Sequence, residues 1–189
     1  MPGTPVPRVR RAPARPRLRK GDRDAWRGCD SPCPDETLRP LATLLVALPR
    51  GRKGVLLDNC AGDGRAASHL ARAWNCRAYL VEPNPHRARL CRQRRDAVVV
   101  RGRAEALAIR GTPSVWYFNP PFDPDDGSGR LERALFERSV RYAVGERTVG
   151  VLILPLRSLL TTDLMAQIVR RFETVRVRGL PAGVFKAYR

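Results

Sequence analysis

The 189-residue sequence predicts an α/β protein, with a doubly wound, mostly parallel sheet and helices on both faces. Three observations lead there. The strand candidates are short and apolar throughout, as in Val115-Trp116-Tyr117-Phe118, which is the pattern of strands buried on both sides. Segments of helical length separate them, giving a β-α-β-α order. The unusual residues (glycine, acid, paired proline) fall just after the strands, where open parallel sheets place their ligands.

In chain order, the acids Asp35 and Glu36 precede Leu38, Leu41, Leu44, Leu45 and Leu48, which suggests a helix closed by Pro49 and Gly51. A short buried strand is expected over 55–58. A helix over 65–74 follows, with Leu70 and Trp74 one turn apart. The second strand is read over 77–82 and the second helix over 85–95, with Pro85 suited to a first helical turn. Strands at 97–100 and 115–118, a helix at 130–144, a strand at 148–156 and a helix at 161–172 complete the series. A last short strand is expected over 174–177. Right-handed crossovers leave few topologies for such a chain.

Charge constrains the partner. Lys plus Arg number 36 against 18 Asp plus Glu, a net +18, and only Lys20, Lys53 and Lys186 are lysines. A twofold cationic excess points to a polyanion, usually nucleic acid. Residues 1–30 read as a disordered Arg/Pro-rich arm with little to bury, and a folded domain is expected over 31–189. The hydrophobic share of 43% excludes a wholly disordered protein. The longest apolar run, 149–156, is too short to cross a bilayer, and no apolar leader follows the N-terminus. Five cysteines, an odd number without a leader, suggest reduced thiols and a cytoplasmic location. The two histidines fall in no ligand register with them, so no metal is expected.

The first strand ends in Asp58-Asn59-Cys60-Ala61-Gly62-Asp63-Gly64. Gly62 and Gly64 permit a sharp turn and a close approach of ligand to backbone. The loop's N–H groups and the following helix N-terminus are expected to present a mild positive potential. Gly62-x-Gly64-x-x-Ala67 fits the dinucleotide fingerprint, which keeps a nicotinamide enzyme open. Asp58, four residues before Gly62, gives D-x-x-x-G-x-G, which resembles the first motif of class I S-adenosylmethionine-dependent methyltransferases. In that family the loop wraps the methionine part of the cofactor, which implies a cofactor site at Asp58, Asn59, Cys60, Ala61, Gly62 and Gly64. Glu82 closes the second strand, where a carboxylate can receive both hydroxyls of a ribose in either kind of enzyme.

After the third strand many of these methyltransferases carry an acid and a small residue that meet the adenine. Here Arg103 occupies the acidic position, Ala104 is the adenine-facing candidate, and Glu105 is the nearest acid. This is a departure from the family pattern.

The fourth strand runs into Asn119-Pro120-Pro121-Phe122. The prolines lack backbone donors and stiffen the chain, leaving the carbonyls of Asn119 and Pro120 as acceptors. Asn119 adds a side-chain oxygen, and Phe122 an apolar face for a planar group. Such acceptors suit the two hydrogens of a conjugated –NH2 group. The tetrapeptide resembles the catalytic motif of the NPPF/NPPY amino-methyltransferases, which include adenine N6 methylases and glutamine-amide methylases. The resemblance runs over 31–180 and implies a Rossmann-like class I methyltransferase fold with S-adenosylmethionine as cofactor. It also implies that Asn119, Pro120, Pro121 and Phe122 carry catalysis. The terminal antiparallel hairpin of that fold is expected to be abbreviated, with 185–188 left for its last strand, or completed by another protein chain.

The leading expectation is methyl transfer to a nucleobase amino group, most simply adenine N6 of DNA or RNA, with low sequence specificity. A glutamine-amide methyltransferase and a non-catalytic nucleic-acid-binding relic remain alternatives. A nicotinamide oxidoreductase is disfavoured because no clear proton-transfer residue lies beside the glycine loop.

Overall fold

Successive strand residues bury on opposite sides of a central sheet. The structure, a computed structural model, describes residues 9–11, 35–45, 53–122, 130–160 and 162–179. Its strands are β1 (Val9–Arg11), β2 (Gly54–Asp58), β3 (Cys76–Val81), β4 (Ala97–Val100), β5 (Leu107–Ile109), β6 (Val115–Phe118) and β7 (Val149–Leu152). The helices are α1 (Asp35–Ala42), α2 (Arg65–Ala73), α3 (Pro85–Arg92), α4 (Leu131–Ala143), α5 (Leu156–Leu160) and α6 (Thr162–Val169).

Five strands form one parallel sheet in the order β4-β3-β2-β6-β7. The chain winds outward from β2 to β4, then returns to the other side of β2 and winds outward again. The reversal between β2 and β6 is the switch point, where the two flanking loops diverge and open a crevice. Asp58 pairs with Tyr117 there, so both strands end at the same edge of the sheet.

Each face has its own core. Leu56, Ala78, Leu80 and Tyr117 pack with Leu38 and Leu41 of α1, Leu70 and Ala71 of α2 and Cys91 of α3. Their sequence neighbours Leu57, Tyr79, Val81 and Trp116 pack on the opposite side with Leu135, Phe136 and Val140 of α4 and Leu164 and Ile168 of α6. Helix α4 turns the required face inward because Glu132, Leu135, Phe136, Ser139, Val140 and Ala143 recur at three- and four-residue spacing. Trp116, Phe118 and Phe136 form an aromatic cluster with ring centroids 4.9, 5.6 and 6.1 Å apart. Each such pair contributes about 0.5–1.5 kcal/mol beyond its buried area.

Several local expectations change. Helix α1 ends at Ala42, short of the expected span, with Pro40 inside its last turn. The Thr43 hydroxyl donates to the Pro40 carbonyl at 2.8 Å, and Leu44 N–H to Leu41 at 3.0 Å, closing the turn. Pro49 and Gly51 lie outside the described residues. Helix α3 stops three residues earlier than expected, in a turn leading to Asp96. Strand β7 stops at Leu152, and α5 begins at Leu156 just after Pro155. Residues 174–177 form no strand and are exposed. Among the described residues β7 is a sheet edge, and residues 185–188 lie outside them. Strand β5 was not expected; it pairs antiparallel with β1, Val9 opposite Ile109 and Arg11 opposite Leu107. Those three residues of the arm therefore have regular structure, and the rest of 1–30 lies outside the described residues.

Candidate active site at the sheet switch point

The glycine turn is fixed by carboxylates behind it. Asp58, 1% exposed, accepts from Cys60 N–H at 3.0 Å. Glu82, 4% exposed, accepts from Gly62 N–H at 2.9 Å on one oxygen and from Asn84 N–H at 2.8 Å on the other. Ala61 N–H reaches the Val81 carbonyl at 3.1 Å, and Gly64 N–H reaches the Ala61 carbonyl at 2.8 Å. Arg65 N–H is held by Asp63 at 2.9 Å. The N–H groups of Cys60, Ala61, Gly62, Gly64 and Arg65 are thus engaged within the protein, which corrects the sequence reading for those donors. Short turns satisfy their own donors first, because a buried N–H without a partner is costly.

Both glycines take left-handed backbones. At Gly64 (φ 74) a Cβ would lie 2.8 Å from Leu80 Cδ1 and 3.0 Å from Cys91 Sγ, so the helix can close onto the sheet only without a side chain. At Gly62 (φ 57) a Cβ would meet nothing within 4 Å. The space over Gly62 is open, and a ligand can contact the backbone there. The Cys91 thiol donates to the Gly62 carbonyl at 3.2 Å from below. Arg94 clamps the outer side, donating to the Asp63 carbonyl at 3.2 Å and to its carboxylate at 3.4 Å.

Electrostatically the ground beneath the turn is acidic and poorly solvated. Burial raises the Asp58 carboxyl to about 7 against the Cys60 hydrogen bond, and the neighbouring Glu82 charge adds to the rise. Glu82 is also raised by burial, opposed by its backbone donors and by Arg87. A cationic ligand group beside Asp58 would restore its charge.

Asn59, expected at the cofactor, turns to the opposite face. Its amide donates to Ser139 Oγ at 2.6 Å and Tyr142 OH at 3.0 Å, and its oxygen accepts from Trp116 Nε1 at 3.0 Å. That side chain is fully committed to joining β2, β6 and α4. Cys60 is half-buried beside the second core, and Ala61 is buried in the first. Ala104 is buried in the second core at the start of a 3-10 turn (Ala104–Ala106), and its carbonyl accepts from Tyr142 OH at 2.8 Å. Arg103 caps that turn and is half-buried.

Across the switch point, Phe118 O accepts from Ile153 N–H at 2.9 Å, and the chain then turns through Asn119, Pro120, Pro121 and Phe122. Pro120 is buried; Asn119, Pro121 and Phe122 are half-buried, with Phe122 packed on the first core. Among the described residues no donor reaches the carbonyls of Asn119 or Pro120. Behind the corner, Arg130 donates to the Phe122 carbonyl at 3.4 Å and, through Nε, to Glu132. Glu132 is fully buried and also accepts from Ser158 Oγ.

Glycine turn and proline corner are therefore brought together at adjacent strand ends, with Glu82 beneath the turn. Sequence reading missed the Asn59–Ser139–Tyr142 clamp, Arg94, and the Arg130–Glu132 support. Only the Asn84 cap, which accepts from His86 and Arg87 N–H just before Pro85, had a readable signal. Among the described residues no group of three or more His, Cys, Asp or Glu is disposed to hold a metal, and no helix is long and apolar enough to cross a membrane.

No protein-family model and no curated protein matches the sequence. Among solved structures, the chain is similar to a TehB-like S-adenosylmethionine-dependent methyltransferase of Corynebacterium glutamicum. The identity is 17%, the TM-score 0.51, and the match covers 80% of each chain. That likeness shows the fold, the mostly parallel Rossmann-like sheet of such methyltransferases. Lower similarity, at TM-score 0.47 and 16% identity, extends to precorrin-6y C5,15-methyltransferase of Geobacter metallireducens, over 76% of this chain and 72% of that one. The N-methyltransferase NodS of Bradyrhizobium japonicum, in complex with S-adenosyl-L-homocysteine, matches at TM-score 0.46 and 15% identity, over 65% of this chain and 67% of that one.

Proposed function

We propose that the chain is an S-adenosylmethionine-dependent methyltransferase acting on the amino group of a nucleobase, most simply adenine N6. The observation that carries this reading is the register of β2 on β6, Asp58 opposite Tyr117. It sets an open glycine turn beside a corner where the carbonyls of Asn119 and Pro120 have no described donor.

The residues present fit the cofactor. Open space over Gly62 admits a ligand against the backbone, and buried Asp58 suits an amino cation. Each Glu82 oxygen holds one N–H and keeps a second lone pair, enough to accept from a ribose hydroxyl. When bound, the cofactor supplies a methyl group on a positively charged sulfur. The chain's own work is positional. The carbonyls of Asn119 and Pro120, with the Asn119 side-chain oxygen, accept the amino hydrogens and turn the nitrogen lone pair out of conjugation. Phe122 gives the ring plane a surface to rest on. Fixed acceptors aimed at the hydrogens of a nitrogen that becomes positive during transfer contribute several kcal/mol. No strong base is required, because the nitrogen becomes acidic as its new bond forms.

The net +18 charge favours nucleic acid over a protein amide. A duplex target must be flipped out of its stack, so single strands and weakly paired segments are the easier substrates. Incorporation of tritiated methyl into DNA, RNA and protein tests the assignment, with Asn119→Ala as control. Label in nucleic acid that disappears in the variant is the expected result; label confined to protein replaces it with the glutamine-amide reading.

A further inference from the structure

The opposite edge of the sheet carries a concavity. Lys53 leads into β2, Asn75 into β3 and Asp96 into β4, so all three mark the amino ends of strands. With Ser68 and Arg72 of α2 and Arg95 beyond α3, they line a cavity of 170 Å³. Strand β2 is five residues long, which separates this cavity from the glycine turn by about 16 Å. It is a different place from the candidate active site.

Its chemistry is that of an anion subsite. Lys53, Arg72 and Arg95 are exposed, and none pairs with a described acid. The Asp96 carboxylate at the rim leaves two net positive charges. Ser68 supplies the independent sign. It is 8% exposed, and its hydroxyl is buried without any hydrogen-bond partner. A helical serine ordinarily bonds the carbonyl four residues back, but here the Gly64 carbonyl takes the Ser68 N–H and not its hydroxyl. Ser68 lines the cavity with this orphaned hydroxyl, and a turn of the side chain about χ1 presents the donor to an acceptor oxygen held among the three cations. The volume lies below the roughly 300–1,000 Å³ of organic-ligand pockets, which excludes a whole nucleotide and suits one tetrahedral oxyanion.

We infer that this pocket holds a single backbone phosphate of the nucleic-acid substrate, gripping the strand at a distance from the base being modified. The inference rests on the nucleic-acid reading above. It adds to diffuse surface charge a fixed point of attachment.

Binding of a fluorescein-labelled single-stranded oligonucleotide to the full chain, followed across a salt series, tests it. Ser68→Ala is the decisive variant, because it changes no charge. Ser68→Ala and Arg72→Gln/Arg95→Gln are each expected to weaken binding about three- to tenfold. The arginine pair should also lower the salt slope by about one. S-adenosylmethionine binding and melting temperature report an intact fold, and Lys53→Gln, at an exposed position ahead of β2, serves if Ser68→Ala fails to fold. A Ser68→Ala (or Lys53→Gln) chain that binds as the parent does overturns the pocket and leaves the nucleic-acid reading standing. Inorganic phosphate should compete with the oligonucleotide; phosphate bound in the pocket without any effect on oligonucleotide affinity overturns the backbone source. A parent chain that neither binds nor methylates nucleic acid overturns both readings together.

Discussion

After β2 the chain turns through two left-handed glycines, and after β6 it turns through two prolines. The first loop is stiffened by hydrogen bonds. Cys60, Ala61, Gly62, Gly64 and Arg65 all donate to protein acceptors, two of which are buried carboxylates. The second is stiffened covalently, since proline fixes φ and brings no donor. The difference decides what each loop can offer. A turn with most of its donors spent contributes open space and a buried negative floor, whereas a corner built on two prolines leaves the acceptors of Asn119 and Pro120 unspent. Two loops on one edge therefore suit two unlike partners, a cation-bearing donor molecule and a hydrogen-bearing nitrogen.

The sharpest break between them comes at Asn119. Replacing it with alanine removes an acceptor from the corner and touches nothing in the glycine turn. Turnover is expected to fall by about 10²–10³. Affinity for S-adenosylmethionine, measured by calorimetry, is expected to stay within about 0.5 kcal/mol of the parent. Equal losses in both would mean that the two loops do not divide the work.

Asp58 separates the loops through pH. Its carboxyl is raised by burial to about 7, so between the ordinary carboxylate range and neutrality the folded chain holds a proton that the unfolded chain releases. The stability it contributes is present at acidic pH and is lost as pH rises through 7. Asp58→Asn keeps the acceptor for Cys60 and removes the titration. The variant should gain on the parent between pH 4 and pH 8 by about 2–4 kcal/mol, read from denaturant midpoints. The slope is the observable, since the new amide hydrogens shift both ends alike. A constant difference across that range would place the Asp58 pKa near its ordinary value.

Sequence periodicity resolves the parts of this fold that local chemistry dictates. Strands β4 and β6 lie where their apolar runs lie, and the switch-point loops lie where the glycines and prolines lie. The leucine spacing predicts a helix closed by Pro49 and Gly51, whereas α1 ends at Ala42. The pairing of β1 with β5 joins three-residue segments nearly a hundred positions apart, which no local pattern encodes. Asn59 read as a cofactor residue because its partners, Ser139 and Tyr142, are about eighty positions away. Glu132 stands in the first turn of α4, and nothing local marks it as a carboxylate that is buried and bonded to Ser158 of α5. Long-range contacts, the β1–β5 pairing among them, were the illegible part.

Within the glycine turn the two positions should part company. Gly64→Ala forces a Cβ between Leu80 and Cys91, and a loss of about 2 kcal/mol is expected from strain and overpacking. Gly62→Ala meets open space, so only its left-handed backbone resists, at about 1 kcal/mol. Cofactor affinity should reverse the order per unit of stability lost, because the Gly62 methyl group enters the space proposed for the ligand. Urea melts paired with calorimetric titration of both variants measure this; proportional losses at the two positions would remove Gly62 from the contact surface.

The smallest expected effect lies behind the proline corner. Arg130 spans from the Phe122 carbonyl to buried Glu132, so it holds the end of the corner against α4 without reaching the carbonyls of Asn119 or Pro120. Arg130→Gln shortens that span and removes its charge while retaining a donor. Turnover is expected to drop about fivefold, since a positioning fault of a fraction of an ångström at the acceptors raises the barrier by about 1 kcal/mol. The KM for S-adenosylmethionine should not move, because the glycine turn makes none of these contacts. Rescue by Arg130→Lys tests the split further, because lysine can reach one partner but not both. Full activity in the lysine variant would mean that charge near Glu132 suffices; partial activity would mean that the bridge itself sets the corner.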